Sequence, residues 1–581
     1  MRKFTMLLAL MIFIGLQVAN AQRTITGKVT GSDDGAPIPG ATILVKGTAI
    51  GVITDLDGKF SLNVPKDNNV LVVSFVGMTT QEIELGTSNT LDIVLSPSVK
   101  ELEGVVITAL GISRNKKALG YAVQDVSGDD INKTRESNVI NALTGRVAGV
   151  QVTNASGAVG ASSRIVLRGV TSLTGNNQPL FVVDGVPIDN DDFGSTGNDG
   201  VNRGSGAMDI NPNDIENVSV LKGPNAAALY GSRASNGVIL ITTKSGAGKG
   251  LRGKLIGIEL NNTTTFESPL RLPKFQNTYG QGSGGQFAFV DGAGHGTNDG
   301  VDESWGPKLD IGLKIPQFNS PIDPATGERI PTDWVSHPNN IKDFFETGVT
   351  TSTNLALYGG NEKASGRLSY TQFNQKGIVP NTDYKSQNIN LSSIVNLTEK
   401  LNVTAVGNYV RATSDNMPGY GYDAQNVIQQ FLWFGRQVDI KALKDYKNPD
   451  GSKYNWNYNY HNNPYFTLYE NTSSLSRNRL FGNAKVQYKF FKGLTAYVRS
   501  GIDYYTNFNT RRIAAGDIDH LYGSYEGQTN IFREVNTDFL IMFNHKFEGP
   551  KIDLMLNAGG NRMDQATRSE ERRVGKECRS R

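Results

Sequence analysis

The chain has 581 residues, 19% of them charged and 65 of them glycine, with a formal net charge of +3. A spanning helix needs about 20 consecutive apolar residues, and the longest apolar stretch, 6–16, is shorter and lies at the N-terminus, which excludes a helix-bundle membrane protein. Cys578 is the only cysteine, which excludes a disulfide framework, a cysteine metal site and a lipidated N-terminal cysteine, and the net charge without the two chain termini is about −1, so that no basic patch indicates nucleic acid.

Residues 1–21 have the features of a secretory signal peptide. Arg2 and Lys3 provide a basic start, an apolar stretch follows, and Ala19-Asn20-Ala21 supplies the small residues that signal peptidase requires. We expect the mature chain to begin near Gln22, beyond the inner membrane. An uncleaved anchor is the alternative.

The next segment, 22–97, consists of short apolar runs that alternate with turn residues. This spacing predicts a small β-sandwich of about seven strands. Asp55 and Asp57 could suggest calcium, but an Asp-Gly hairpin turn at Gly58 explains them without a metal. The segment resembles the carboxypeptidase-regulatory-like domain, which brings no catalytic residues with it. The apolar runs are 25–29, 41–45, 60–64, 71–75, 83–85 and 91–95.

A linker, 98–118, contains one apolar strip with strand-forming residues. Because a strand in a linker has no sheet of its own, its backbone groups can pair with the sheet edge of another protein. The strip can equally be one more strand of a neighbouring domain. Its residues are Val105, Val106, Ile107, Thr108, Ala109 and Leu110.

Residues 119–249 predict a compact α+β domain. Its many small residues permit close packing of the backbone. We expect a helix at 137–143 and a short helical turn at 226–230. The expected strands are 149–153, 163–167, 180–183, 215–221 and 237–243.

From residue 250 to 563 the pattern changes to longer alternating segments. Strands with one apolar and one polar face are what a lipid-facing wall with a wet interior requires, because every backbone group in a bilayer must pair strand to strand. The sequence therefore predicts about nine strands of a transmembrane β-barrel. They are 254–265, 350–358, 365–373, 384–397, 401–412, 479–490, 494–504, 535–547 and 552–560.

The connections between these strands give a second, independent signal. Long connections alternate with short ones, and this is typical of an outer-membrane barrel whose short turns are periplasmic. A soluble sandwich would not readily reproduce the alternation of loops. The long connections are 266–349, 413–478 and 505–534, and the short ones are 359–363, 398–400, 491–493 and 548–551.

Three motifs of the α+β domain resemble the plug of the SusC/RagA family of TonB-dependent outer-membrane transporters. They are Ile165-Val166-Leu167-Arg168-Gly169, the run from Pro179 through Val183-Asp184-Gly185 to Ile188, and Leu221-Lys222-Gly223-Pro224 through Tyr230-Gly231-Ser232-Arg233. The resemblance covers the whole order of signal, sandwich, strip, plug and first barrel strands. Its plug positions are Arg168, Gly169, Asp184, Gly185, Gly223, Pro224, Gly231 and Arg233.

The resemblance implies an energised importer in the outer membrane of a Gram-negative cell, in contact with outer-membrane lipid. The strip Val105 to Leu110 would match the TonB box, which adds as a strand to TonB of the inner-membrane energising complex. TonB would then pull on the plug. Arg168 and Arg233 are expected to hold the plug to the barrel wall by ion pairs, with packing inside the plug as their alternative role.

The family commonly imports glycans or peptides beneath a surface lipoprotein lid that resembles SusD. Aromatic residues crowd the long connection 413–478, and aromatic faces suit sugar stacking. The nearby Asn455, Asn457 and Asn459 could bond sugar hydroxyls. Packing of the loop, or contact with the lid protein, is the alternative that we favour. The ligand-contact candidates are Trp433, Trp456, Tyr458 and Tyr460.

No sequence motif indicates an enzyme, a cofactor or a metal site. Acidic residues such as Asp189 and Asp302 could bind calcium, but solvated loops explain them more simply. A surface receptor, adhesin or signal transducer on the same scaffold is the alternative function. A soluble binding module is a third.

The predicted strand count suggests that the chain is the N-terminal part of a longer protein. Single-chain bacterial barrels close with an even number of strands, and a plugged transporter needs about 22. Residues 564–581 are expected to be an artefactual tail, because the last thirteen residues carry eight charges and abandon the alternation.

Overall fold

The computed structural model describes residues 22–574 except for short gaps. The gaps are 33–34, 49, 66–69, 76–77, 97–104, 108–112, 116–121, 137, 155–156, 195–199, 224–229, 247–255, 288–301, 362 and 548–551. The predicted signal peptide, Thr108 to Leu110 of the strip and Pro224 therefore lie outside the described residues. The chain divides into two compact units, Met1–Val105 and Val106–Arg581. No helix in the described ranges is long and apolar enough to cross a membrane.

The first unit is the predicted seven-stranded β-sandwich. One sheet has the order β4-β1-β7 and the other the order β3-β2-β5-β6. Alternate residues of the strands, such as Ile25, Ile43 and Leu71, are fully buried in a common core. The strands are β1 (Gln22–Gly31), β2 (Thr42–Val45), β3 (Gly51–Ile53), β4 (Lys59–Pro65), β5 (Val70–Ser74), β6 (Gln81–Glu84) and β7 (Thr90–Leu95).

The turn before β4 is closed by the side chain of Asp55. Its Oδ1 accepts hydrogen bonds from the backbone N–H groups of Asp57 at 3.0 Å and Lys59 at 2.8 Å. Gly58 follows with a φ of 73°, a conformation that glycine adopts without strain. Asp55 is thus committed to the backbone of its own turn.

Two short strands, β8 (Val105–Ile107) and β9 (Ser113–Asn115), pair with each other. They belong to neither the sandwich sheets nor the sheets that follow in the described part of the chain. Half of the predicted strip therefore forms a ladder of its own.

The α+β domain, residues 122–246, is called the plug below. A five-stranded sheet of order β10-β15-β16-β13-β14 forms its centre. Its buried residues form two apolar clusters, one that includes Ile140, Val218 and Ile239 and one that includes Val182 and Leu240. Its elements are β10 (Ala122–Ser127), α1 (Gly128–Lys133), β11 (Val150–Asn154), β12 (Ser163–Leu167), β13 (Leu180–Val183), β14 (Val186–Ile188), β15 (Ile215–Lys222) and β16 (Val238–Thr243).

Helix α1 was not predicted, and the helix predicted at 137–143 is reduced to a 3-10 turn at Asn141–Leu143. The start of α1 has a readable signal, since the Ser127 side chain accepts a hydrogen bond from the N–H of Asp130 at 3.2 Å. A serine followed three residues later by an acidic residue is typical of a helix start. The expectation for 137–143 was wrong because its apolar residues are buried in an irregular segment.

A nine-stranded antiparallel sheet, called the wall below, accounts for most of the remaining chain, and its strands pair in the order β17-β20-β21-β22-β23-β24-β25-β26-β27. The predicted number of strands is confirmed. The strands are β17 (Gly257–Glu267), β20 (Gly348–Gly360), β21 (Ala364–Lys376), β22 (Asp383–Asn396), β23 (Leu401–Ser414), β24 (Thr472–Phe491), β25 (Leu494–Ala515), β26 (Tyr522–Phe547) and β27 (Ile552–Val574).

The two longest connections of the wall contain short elements of their own. These are β18 (Lys314–Ile315), β19 (Thr332–Asp333), α2 (Asn340–Phe344), α3 (Val427–Gln430) and α4 (Pro464–Glu470). Aromatic and aliphatic residues of both connections share one core, which contains Phe344, Phe431 and Trp456.

The two faces of the wall differ as the alternation predicts. In β25, Val498 is 55% exposed whereas Arg499 is 5% exposed. The outward face is apolar along several strands and the inward face is polar. Outward residues include Leu357, Leu368, Leu391, Leu480, Val486 and Phe539.

One expectation about the wall was wrong. Residues 505–534 are not a long connection, because β25 and β26 continue in register to the Ala515 and Tyr522 pair and leave only 516–521 between them. This part of the hairpin carries polar residues on both faces, so the alternation that marks a lipid-facing strand fades. Strand β27 extends into the segment 564–574 and ends at Val574, paired with Tyr525, because ladder bonds join backbone groups and need no particular side chains.

We predict that Asp55→Ala lowers the free energy of unfolding of the sandwich by about 1 kcal/mol, because two backbone N–H groups lose their acceptor. Asp57→Ala is the control, since Asp57 contributes an exposed ion pair with Lys59 at 3.8 Å that stabilises little. Denaturant unfolding of the two variants with calcium and with a chelator measures both effects. A calcium-dependent difference would contradict the turn assignment.

Candidate functional site

The plug packs against the inward face of the wall, and this interface is the candidate functional site. The core of the plug includes two wall residues, Val410 of β23 and Phe481 of β24. Around this apolar contact the two parts are joined by charged and polar groups. Their geometry determines what holds the plug in place.

The centre of the interface is a buried layer of ion pairs, called the ion-pair layer below. Asp209 of the plug lies 2.8 Å from Arg477 Nη2 through Oδ1 and 3.1 Å from Arg479 Nη1 through Oδ2. Arg479 Nη2 also lies 2.7 Å from Asp503 Oδ2 of the wall. The exposed fraction of each of these side chains is at most 1%.

The local sequence explains why these side chains converge. Arg477 and Arg479 are two residues apart on β24, so that both point to the inward face, as does Asp503 on the neighbouring strand. Asp209 ends the 3-10 turn Gly206–Asp209 of the plug. The direction of each charged side chain is therefore set by local backbone structure, a strand ladder in the wall and a tight turn in the plug.

Backbone groups of the plug complete the layer. Arg479 donates to the carbonyl oxygens of Asp189 at 2.7 Å and Gly206 at 3.1 Å. Asp503 in turn accepts from the backbone N–H of Asp189 at 2.8 Å. The guanidinium of Arg477 lies 4.3 Å from the ring centroid of Phe193 in the plug, a favourable cation–π distance.

A second polar contact lies beside β15. Asp214 of the plug is 2.8 Å from Arg367 Nη1 of β21, and both side chains are at most 4% exposed. Ser369 donates its hydroxyl to the same carboxylate. Asn211 donates to Thr371 Oγ1 at 2.7 Å. Asn211 and Asp214 of the plug thus contact three inward side chains of β21.

The two arginines selected from the sequence occupy different environments. Arg233 Nη1 lies 2.8 Å from Glu534 Oε1 of the wall, and Glu534 is 1% exposed. Arg168 is exposed, and no carboxylate among the described residues lies within ion-pairing distance of it. A Cβ added at Gly223 would lie 2.9 Å from Arg168 Nη1. The Arg168 side chain therefore lies against the Gly223 turn of the plug instead of reaching the wall.

Asp184 and Gly185 form the two-residue turn between β13 and β14, with φ values of 49° and 86°. Asp184 accepts hydrogen bonds from the Thr243 backbone at 2.9 Å and hydroxyl at 2.8 Å. A Cβ added at Gly185 would lie 1.9 Å from Arg499 Nη1 of the wall. Glycine is therefore required here both by its φ and by the close approach of the wall.

The other glycines of the plug motifs also adopt left-handed backbone conformations. The φ values are 104° at Gly169, 100° at Gly223 and 72° at Gly231. These positions shape turns of the plug.

Sequence reasoning missed the ion-pair layer and the Asp214 contact. Arg477, Arg479 and Asp503 stand at inward positions of alternating strands, and that signal was readable. The role of Asp209 as their partner could not be read from the sequence, because Asp209 lies 268 residues from Arg477 in a turn that has no motif.

The aromatic candidates in the connection 415–471 divide into buried and accessible residues. Trp456 is 1% exposed, and its ring is stacked 5.3 Å from that of His461. It packs the core of the connections, which agrees with the favoured alternative of loop packing rather than with ligand contact. Tyr458 and Tyr460 are 38% and 54% exposed, and Trp433 is half-buried.

Two of the asparagines beside them are committed to the connection itself. Asn455 donates to the carbonyl oxygens of Asn457 and His461. Asn457 accepts from the N–H groups of Asn459 and Tyr460, each at 2.9 Å. Both Asn455 and Asn457 are at most 1% exposed, so they cannot bond a sugar hydroxyl in this structure.

Two protein families match consecutive parts of the chain. The CarboxypepD_reg-like domain matches residues 25–107. The TonB-dependent Receptor Plug Domain matches residues 115–238, which includes the ion-pairing residues Asp209, Asp214 and Arg233.

Curated relatives match most of the chain. The TonB-dependent receptor SusC of Bacteroides thetaiotaomicron is 28% identical over 553 residues, covering 92% of this chain and 49% of SusC. The TonB-dependent receptor P26 of Formosa agariphila is 31% identical over 478 residues, covering 80% of this chain and 41% of P26. The chain thus spans about half the length of these relatives or less.

Solved structures of the RagAB peptide importer share the fold. Its open-open state matches with a TM-score of 0.59 and 21% identity, over 81% of this chain and 50% of that chain. Its closed-closed state matches with a TM-score of 0.56 and 21% identity, over 78% of this chain and 49% of that chain.

We predict that Asp209→Asn lowers the free energy of unfolding of the plug by about 3 kcal/mol, because it leaves the buried Arg477 without its carboxylate and removes one of the two carboxylates that pair with Arg479. The control is Asp130→Asn in α1, whose partner Lys133 is 71% exposed; its effect should stay below about 1 kcal/mol. Denaturant unfolding of the full-length protein measures both. Equal effects would contradict the central role of the ion-pair layer.

Asp184 gives the plug a pH dependence. Burial raises the pKa of Asp184 from 3.8 to about 6, in a cavity of about 330 Å³ that also contains Glu216, Lys485 and Arg499. A raised pKa means that the folded state binds the proton more tightly than the unfolded state does. The stabilisation is therefore complete below pH 3.8 and is lost as the pH rises through about 6.

We therefore predict that the difference in unfolding free energy between the wild type and Asp184→Asn changes by roughly 2–3 kcal/mol between pH 4 and pH 7. The wild type should become relatively less stable as the pH rises. Unfolding curves recorded across that range give the difference directly. A pH-independent difference would show that Asp184 does not titrate there.

Proposed function

Because this chain belongs to the SusC/RagA-type TonB-dependent receptors, we propose that the whole protein imports a nutrient across the outer membrane with energy supplied through TonB. The apolar outward face of the wall fits contact with lipid. The polar inward face fits a lumen filled by the plug.

The observation that carries this proposal is the ion-pair layer. A plug that must open and close needs contacts that break without chemistry and form again with the same geometry. Buried, hydrogen-bonded ion pairs meet both conditions, because their directional bonds specify one seated position. Asp209 and Asp214 provide such contacts to separate wall strands.

Energy would enter the plug through the strip Val105 to Leu110, which we propose to be the TonB box. Strand β8 pairs only with the short β9 among the described residues, so displacing it from that ladder costs few hydrogen bonds. Its backbone can then add to a sheet edge of TonB.

The first plug strand after the strip, β10, would receive the pull. It is an edge strand that pairs antiparallel with β15, from Ala122 opposite Lys222 to Ser127 opposite Asn217. The wall contact of Asp214 lies at the Ser127 end of this ladder. A pull on the Ala122 end against that anchor therefore loads all the ladder bonds together.

The substrate and the outer partner of the whole protein are also proposed here. We propose an oligosaccharide or peptide substrate, since accessible aromatic faces at Trp433, Tyr458 and Tyr460 suit sugar stacking and RagAB is described as a peptide importer. A SusD-like surface lipoprotein would cover the long connections. Their exposed apolar side chains support such a partner: Tyr422, Ile428, Leu432, Tyr460 and Tyr469.

We predict that deleting residues 105–110 from the full-length protein abolishes uptake in cells and leaves ligand binding by the purified protein unchanged. The physical reason is that the deletion removes the strand that TonB pairs with and leaves the plug and the loops intact. Uptake and binding of the same labelled oligomer are measured side by side.

Deletion of residues 98–103 is the matched control, because it shortens the linker equally and keeps the strip. It should retain uptake. Undiminished uptake after the deletion of 105–110 would rule out TonB coupling through this strip and favour a surface receptor, adhesin or signal transducer.

A further inference from the structure

Arg203 of the plug is buried, with an exposed fraction of 7%. No described residue accepts a hydrogen bond from its buried Nε atom. Of the six buried arginines in the described part of the chain, it alone donates no side-chain hydrogen bond there. The others are Arg367, Arg436, Arg477, Arg479 and Arg499.

The guanidinium of Arg203 borders a cavity of about 410 Å³ between the plug and the wall. The cavity lies toward the long connections, because the neighbouring Gly200 accepts a backbone hydrogen bond from Tyr420 at 2.9 Å. A substrate that enters past these connections would reach this side of the plug first. Besides Arg203, the charged residues that line the cavity are Arg511, Glu526, Glu571 and Arg573, the last two of which lie on β27 within the segment 564–581.

No carboxylate of the described residues lies within ion-pairing distance of Arg203. Arg511 faces it from β25 and is itself 3.6 Å from Asp423. Glu526 of β26 lines the same cavity, attracts Arg203 and is 3.7 Å from Arg573. Burial, and secondly the charge of Arg511, lower the pKa of Arg203 to about 10, against the opposing effect of Glu526. Buried charges in proteins are normally paired.

We propose that Arg203 binds an anionic group of the imported substrate, a carboxylate or a sulfate. This rests on the proposed import function and narrows its substrate class to acidic oligomers. A planar guanidinium suits both groups, because it offers parallel N–H donors to two oxygens. A neutral sugar would fill the cavity without compensating the charge.

The binding site and a structural ion pair predict opposite effects of removing the charge. If Arg203 awaits a ligand, Arg203→Met should stabilise the unliganded plug, because the cost of an unpaired buried charge disappears. If Arg203 is paired with a carboxylate outside the described residues, such as Asp199, the same substitution should destabilise the plug.

The test is calorimetric unfolding of the full-length protein with and without an anion. Sodium sulfate, sodium galacturonate and sodium N-acetylglycinate are each compared with sodium chloride at equal ionic strength. We expect Arg203→Met to raise the unfolding temperature of the plug in chloride by about 3 °C. We expect at least one of the three anions to stabilise the wild type more than the variant.

Arg164→Met is the matched control, because Arg164 is an exposed plug arginine and its substitution changes the charge equally. Its unfolding temperature should respond to each anion as that of the wild type does. Comparison with this control also removes the general effect of sulfate on protein stability from the measured difference. The anion that separates the wild type from Arg203→Met identifies the source of the charge as a sulfated sugar, a uronic acid or a peptide carboxylate.

The proposal is overturned if no anion separates the wild type from Arg203→Met, or if that variant lowers the unfolding temperature in chloride. The assay needs no TonB, so the variant lacking residues 105–110 should bind anions as the wild type does. Failure of anion binding is therefore distinguishable from failure of the import proposal.

Discussion

The rest of this structure depends on the burial of opposite charges between the plug and the wall. Asp209 pairs with both Arg477 and Arg479, and Asp503 supplies Arg479 with a second carboxylate from the wall itself. Taken out of water, neither arginine would be tolerated without these partners. The layer therefore gives the plug one seated position, and it does so with contacts that can be broken and remade.

This constraint explains the polar composition of the inward wall. The outward face of β25 carries apolar residues such as Val498, while Arg499 and Asp503 point inward. Plug turns such as Asp184-Gly185 approach these side chains so closely that glycine is needed. One alternating strand thus presents an apolar face outward and a polar face to the plug.

Arg203 departs from this rule. Every other buried arginine of the described plug and wall donates a side-chain hydrogen bond, whereas Arg203 lies beside a cavity on the side of the long connections. A buried charge without a hydrogen-bond partner is expensive to keep. A role in binding an anionic substrate would account for it, and the seated plug would then present the site to the outside.

The sequence by itself determined the sandwich, five of the seven plug strands and the nine wall strands, because each rests on local alternation and turn residues that a short window reveals. Strands β10 and β14 were not predicted. The plug motifs also singled out Arg233, Asp184 and Gly185, but not the groups that these residues contact. Only the tertiary structure decided that Asp209 faces Arg477, that Arg168 stays within the plug, and that Trp456 and Asn457 serve the loop core. These outcomes depend on residues brought together from distant parts of the chain. The alternation of residues along one strand does not identify the residues that pack against it.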